Sequence, residues 1–171
     1  MVRCAISFRK FCGRGNGVLG TMGCMAPLTS VYDARYLAGI VLFNRGDYFE
    51  AHEVWETLWL EAGPDKAFYQ GLIQAAVGLC HFCNGNVRGA VKLFHSSKGY
   101  LERFGPSYLG LDLAGFWSAM ERCFAPLLAA PDQRVEPDED LLPVLVLEPP
   151  PQSWPEPEAF LQEEADKRGQ P

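Results

Sequence analysis

Phe43-Asn44-Arg45-Gly46-Asp47-Tyr48-Phe49-Glu50-Ala51-His52-Glu53-Val54-Trp55-Glu56-Thr57-Leu58-Trp59 decides the architecture of this chain. Asn44 to Asp47 reads as a tight turn between two helices, with Gly46 suited to a left-handed backbone. After the turn, two Trp, two other aromatics, one His and three Glu fall between Tyr48 and Trp59, within one helix of about Tyr48 to Glu61 that Gly63-Pro64 stops. Carboxylates and an imidazole beside such bulky apolar anchors sit where desolvation shifts pKa values. A polar site set into an aromatic surround is therefore expected on this helix.

Working outward, the helical apolar spacing continues on both sides. Upstream, about Tyr32 to Phe43 places Tyr36, Leu37, Ile40, Val41 and Phe43 near one side, with Ser30 or Asp33 as the cap. Downstream, Asp65 is placed to cap a third helix reaching about Asn84. Its run through Leu72, Ile73, Ala75, Ala76, Val77, Leu79 and Phe82 is apolar around much of the circumference, as in a central helix. Gly71 and Gly78, seven residues apart, share a face where a neighbouring helix can approach closely. Asn86 is placed to cap a fourth helix, Val87 to Phe104, ended by Gly105-Pro106. A fifth runs from about Leu111 to Leu128, and neither strand alternation nor hairpin signals appear in this block. Short connections favour antiparallel neighbours, so the expected fold is all-α: a compact antiparallel bundle of about five helices.

The ends differ from the centre. Residues 1–26 carry four basic residues and no acid; residues 131–171 carry eleven acids against three bases and most of the prolines. Three regions follow: a basic extension over 1–26, a helical domain over 27–130 and a Pro-rich acidic tail over 131–171. The extension is read either as a transit-like peptide or as a stretch upstream of a start at Met22 or Met25, and the second reading is preferred. The tail is expected to be disordered or extended. Within it, Leu141 to Leu147 are apolar enough to lie across the bundle as a strap, and Ala159 to Lys167 to form a frayed helix.

Composition narrows the classes of function. A length of 171 residues with 48% hydrophobic content fits one domain with a real core. Residues 27–130 balance eight bases against ten acids, so no basic face suggests nucleic acid. No apolar run reaches the roughly 18 residues that span a bilayer. Cys80-His81-Phe82-Cys83 has Cys-x-x-Cys spacing but lies late in a helix, away from the helix N-terminus that activates redox versions, and no second pair completes a zinc set. Buried reduced thiols in a cytoplasmic protein are expected, with a plastid as the alternative should the extension be a transit peptide.

These motifs in order resemble the signature of the domain of unknown function 309 family. The resemblance rests on Phe43-Asn44-x-Gly46-x-Tyr48-Phe49-Glu50-x-His52-Glu53-x-x-Glu56-x-x-Trp59, then Phe68-x-Gln70-Gly71-Leu72-Ile73-Gln74-Ala75-Ala76, Gly85-Asn86-x-x-Gly89-Ala90 and Tyr108-x-Gly110-x-Asp112. It covers about Tyr32 to Leu128 and implies a small all-α bundle without a settled activity.

The residues suggest two kinds of site. At ~100° per residue, His52 and Glu56 lie one turn apart on the second helix, and Gln70, Gln74 and His81 share a face of the third. Should those helices pair, His52, Glu53, Glu56, Gln70 and Gln74 would meet beside Trp55 and Trp59 in an aromatic-acidic groove that binds a small molecule or a protein partner. The alternative is a metal-dependent hydrolase: in His52-Glu53-x-x-Glu56, ligands at i and i+4 reach one divalent ion, His81 supplies a third, and Glu53 is the general base. A structural network of the same side chains, an acidic tail engaging a basic partner, and a homo-oligomer formed through a leftover aromatic face complete the alternatives.

Overall fold

Side-chain caps start three of the helices, and two of them, Asp33 and Asn86, are caps expected from the sequence. Asp33 accepts from the Arg35 amide (2.8 Å), Asn86 from Gly89 (3.1 Å) and Asp112 from Gly115 (2.9 Å). In a computed structural model that describes residues 32–130 and 133–162, five α-helices follow one another. They are α1 (Ala34–Arg45), α2 (Tyr48–Glu61), α3 (Lys66–Cys83), α4 (Val87–Leu101) and α5 (Leu113–Ala129). The last residues of the expected fourth helix, Glu102–Phe104, tighten into a 3-10 turn. Gly46 ends α1 at φ 84°, and its amide returns to the carbonyls of Leu42 and Phe43. Asp65 departs from expectation: it stands before α3 with a helical backbone (φ −84°, ψ 0°) rather than the extended one of a capping residue, and its carboxylate accepts from the Tyr108 hydroxyl (2.7 Å) instead.

The helices pack in sequence order, α1 on α2, α2 on α3 and α3 on α4, with α5 closing the core. Two close approaches set the spacing. The Trp55 indole lies flat on Gly39, where a Cβ would overlap the ring, and its Nε1 donates to the Tyr36 carbonyl (3.2 Å). Between α3 and α4, a Cβ on Gly71 would stand 2.5 Å from Leu101 Cγ, and one on Gly78 3.4 Å from Leu93 Cβ. The glycine pair read from the sequence therefore faces α4. Buried Ser97 of α4 donates to the Gly71 carbonyl (2.8 Å), so a polar side chain enters the contact with its hydrogen bond made.

One feature contradicts the expectation of a block without hairpins. Ser107–Tyr108 (β1) and Leu111–Asp112 (β2) pair antiparallel. Leu109 (φ 46°) and Gly110 (φ 77°) form the two-residue loop, and positive φ at both positions is the type I′ pattern. Strands of two residues are too short to display a period of two, and Leu-Gly lacks the polar first residue that usually announces this turn.

The strap is present and is tied down at both backbone edges. Pro143, Leu145 and Leu147 are buried while Val144 and Val146 face outward, the alternation of a strand covered on one face. Leu147 bridges Leu111 antiparallel, the Asp112 amide donates to Val146 (3.2 Å), and the Glu148 amide donates to Gly110 (2.7 Å). On the opposite edge, Asn44 acts as a one-residue strand: its amide nitrogen donates to the Leu145 carbonyl (2.9 Å) and its oxygen accepts from the Leu145 amide (2.8 Å). The tail then reaches Tyr32, which donates to the Pro149 carbonyl (2.8 Å), and returns to the far end of α1, where Glu158 pairs with Arg45 (2.9 Å). Residues 158–162 are helical, at the start of the frayed helix expected from the sequence. The expectations for residues 1–26, for the start at Met22 or Met25, and for the rest of that helix lie outside the described residues. Among the described residues no helix is long and apolar enough to cross a membrane.

Candidate functional site

The residues singled out on α2 separate into core and surface. Trp55 is fully buried in the Gly39 contact and is a core residue. His52 is half-buried; its Nδ1 donates to the Phe49 carbonyl one turn back, and its ring stands edge-on to Phe49 at 4.7 Å. Glu53 is half-buried and Glu56 exposed. Trp59 is half-buried, with Lys66 Nζ 4.3 Å above its ring, a cation–π contact that joins the end of α2 to the start of α3.

On α3, the half-buried residues Gln70, Ile73, Gln74, Val77 and His81 form one stripe, left partly uncovered by the flanking helices α2 and α4. The polar end of that stripe turns to α4. Asn86 donates to His81 Nδ1 (3.3 Å), and a Cβ on Gly89 would stand 2.8 Å from the His81 ring. Gln74, two turns earlier on the same side, shares that orientation. Its Oε1 is buried and has no hydrogen-bond donor among the described residues. Among the described residues, no hydrogen bond or ion pair joins His52 or Glu56 to Gln70 or Gln74. Nor do any three His, Cys, Asp or Glu side chains converge as a metal ion requires, so His52, Glu56 and His81 are not gathered into one ligand set.

A second cluster, assembled from four separate segments, lies where α1 and α3 begin and the hairpin closes. Tyr36, Phe68 and Tyr69 pack with tilted or edge-to-face rings (5.5 to 6.1 Å between centroids), and Phe68 continues to Phe104 (5.6 Å) and Tyr108 (5.1 Å). Three of the hydroxyls are occupied: Tyr32 on Pro149, Tyr36 on the Leu109 carbonyl (3.4 Å) and Tyr108 on Asp65. Tyr69 is 7% exposed, and its hydroxyl has no hydrogen-bond partner among the described residues. Arg35 pairs with both Asp33 (3.1 Å) and Glu61 (2.9 Å). Burial pushes the Asp33 carboxyl up, but the hydrogen bonds and charge of Arg35 outweigh burial and hold it below its ordinary value.

The two central helices and the turns around them carry a family signature. The family model described as "Domain of unknown function (DUF309)" matches residues 36–93, from the first turn of α1 to the middle of α4. That stretch is a DUF309 domain. The chain is also similar to the "Uncharacterized protein YpuF" of Bacillus subtilis (strain 168), with 38% identity over 87 residues that cover 48% of this chain and 50% of that protein. The chain thus spans half the length of the curated relative it matches.

The DUF309 stretch holds Gly39, Trp55, Asp65, Tyr69 and Gln74, whereas the hairpin and strap lie outside it. Sequence reasoning missed the tyrosine cluster because no spacing links Tyr36, Tyr69 and Tyr108; the usable signal was Tyr108-x-Gly110-x-Asp112, read only as family pattern. Cys123 is buried within the core. Burial pushes the Cys123 thiol up to about 12, so it stays protonated and inert at neutral pH.

Burial, followed by the charges of Asp33 and Asp65, raises the Tyr69 phenol from its ordinary 10.0 to about 12. Below pH 10 folded and unfolded chains both keep this proton. Between about 10 and 12 the unfolded chain loses it first, so the DUF309 domain loses stability as pH rises through that window. Buried Tyr36, also raised, and Cys123 act in the same direction. Thermal melts from pH 9 upward are expected to show the decline. Tyr69→Phe should remove its part, on the order of 1 kcal/mol once the partly open hydroxyl is allowed for.

Proposed function

We propose that this DUF309 domain is a binding module that takes a small molecule along the half-buried stripe of α3. Gln74 would be its polar anchor, Gln70 would lie one turn away, and Trp59, His52, Glu53 and Glu56 of α2 would offer aromatic and acidic contacts. The observation that carries this reading is the buried Gln74 Oε1 without a donor. A polar atom removed from water and left unbonded costs about 1–3 kcal/mol, and such positions are uncommon unless they serve something else. A ligand with an N–H or O–H group at this point would supply the missing bond. The hydrolase reading gains no comparable support, since its three candidate ligands are not gathered.

Gln74→Leu tests the reading. A side chain kept for a ligand is dispensable for folding, so the variant should be as stable as the parent or about 1 kcal/mol more stable in urea melts. It should also lose the thermal shift given by whichever donor-bearing fragments stabilise the parent. A loss of more than about 1 kcal/mol would instead make Gln74 part of a structural network.

A further inference from the structure

We propose that the groove between Asn44 and β2 is a strand-acceptor site shared between copies, and that the chain dimerises by exchanging its strap. Each copy lays its residues 143–149 into the groove of the other.

Every hydrogen bond that holds the strap ends on its backbone. Asn44 bonds the amide and carbonyl of Leu145, Asp112 and Gly110 bond Val146 and Glu148, and Tyr32 bonds the Pro149 carbonyl. The side chains the groove buries are those of Pro143, Leu145 and Leu147. The same segment of a second copy meets the identical set of partners, so the groove contacts favour neither arrangement. The balance falls to the tether and to the outer face of the strap.

Both favour exchange. The Gln133 amide donates to the Ala130 carbonyl, which fixes the start of the tether at the C-terminal end of α5. The strap pairs with β2, at the N-terminal end of that helix. Residues 133–142 must therefore return along a helix of 17 residues, about 25 Å long, with a fully extended reach of about 33 Å. The 3-10 turn at Glu139–Leu141 shortens that reach further. A short, nearly taut hinge is the condition that invites exchange. Seven of its ten residues are exposed, so little packing is lost when it opens. The strap itself is apolar on both faces from Leu141 to Leu147, the pattern of a strand covered on both sides. Within one chain, however, Val144 stays 54% exposed and Val146 49%. Two hinges running antiparallel past a two-fold axis bring Leu141, Val144 and Val146 of both copies together. Glu136, Asp138, Glu139 and Asp140 lie in the same hinge and repel across that axis, so salt should promote the dimer.

Sedimentation velocity on the full chain, from about 10 μM to about 1 mM, should show a monomer–dimer equilibrium, with at least about threefold more dimer at about 500 mM than at about 50 mM NaCl. Deleting residues 134–138 leaves a tether of about 17 Å, too short for the chain's own groove, and should make the protein dimeric throughout. Adding Leu145→Asp and Leu147→Asp, which empty the groove, should return either form to a monomer. A parent that is monomeric throughout, or a folded deletion variant that stays monomeric, would overturn the proposal. So would a dimer that survives the two aspartates, since its interface must then lie on another face. Should the deletion variant not fold, the double aspartate variant of the full chain carries the same test, with circular dichroism showing that its helices remain.

Discussion

Gly39→Ala is expected to be among the most damaging single substitutions in the chain, costing about 3–4 kcal/mol of a total near 5–15. The new methyl would lie inside the Trp55 indole, against Cδ1 at 2.6 Å as well as Nε1 and Cε2. Trp55 cannot withdraw, because it is wholly buried and packed against Phe43 at 6.0 Å. Displacing the ring would also break the Nε1 bond to the Tyr36 carbonyl, leaving a buried donor unpaired. Urea denaturation followed by circular dichroism measures the loss, and Trp55→Phe in the same background should recover part of it, since the smaller ring frees the contact. Gly99→Ala is the control. That glycine is exposed on α4 with nothing within 4 Å of its Cβ position, so the change should stabilise by about 0.5–1 kcal/mol through helix propensity alone. Equal effects at the two positions would mean that Trp55 does not hold α1 and α2 together.

Ending the chain after residue 142 is expected to cost about 3 kcal/mol. The strap buries Leu145 and Leu147 and makes five hydrogen bonds, through Asn44 twice, Asp112, Gly110 and Tyr32. Two buried leucines and five net hydrogen bonds contribute on the order of 10 kcal/mol, against about 7 for ordering the seven residues from 143 to 149. The shortened chain should melt lower, with buried Leu111 newly exposed. Asn44→Ala should show about 2 kcal/mol of the same loss from the two bonds on the strap edge. An unchanged melting temperature would mean that the folded unit ends with α5. The proposal that follows is that this unit reaches residue 149, beyond the boundary at 130 drawn from composition.

The legible parts of this fold were those governed by local rules. Helix α2 runs from Tyr48 to Glu61 as its spacing and Gly63-Pro64 require, and Asp33, Asn86 and Asp112 cap because their side chains reach an amide two or three residues on. Gly71 and Gly78 announced a close helix approach by their seven-residue spacing, and they meet Leu101 and Leu93 of α4. At the candidate site, the same reasoning placed Gln74 and His81 on one side of α3. It did not say which neighbour that side would meet, because a helix wheel gives directions relative to its own axis alone.

What the sequence by itself determined is the class and order of the helices, their caps and turns, and the extended character of the tail, all set by interactions spanning a few residues. The tertiary structure decided the rest. It took the Asp65 carboxylate for Tyr108, 43 residues away, and used Asn44 as the strand edge for Leu145, 101 residues away. It buried Trp55 while leaving Trp59 half-open, and it packed Tyr69 against Tyr36 from another helix. Each outcome depends on which distant group the packing brings within hydrogen-bonding distance of a donor or acceptor. That competition is settled by packing in three dimensions, where sequence spacing has no bearing.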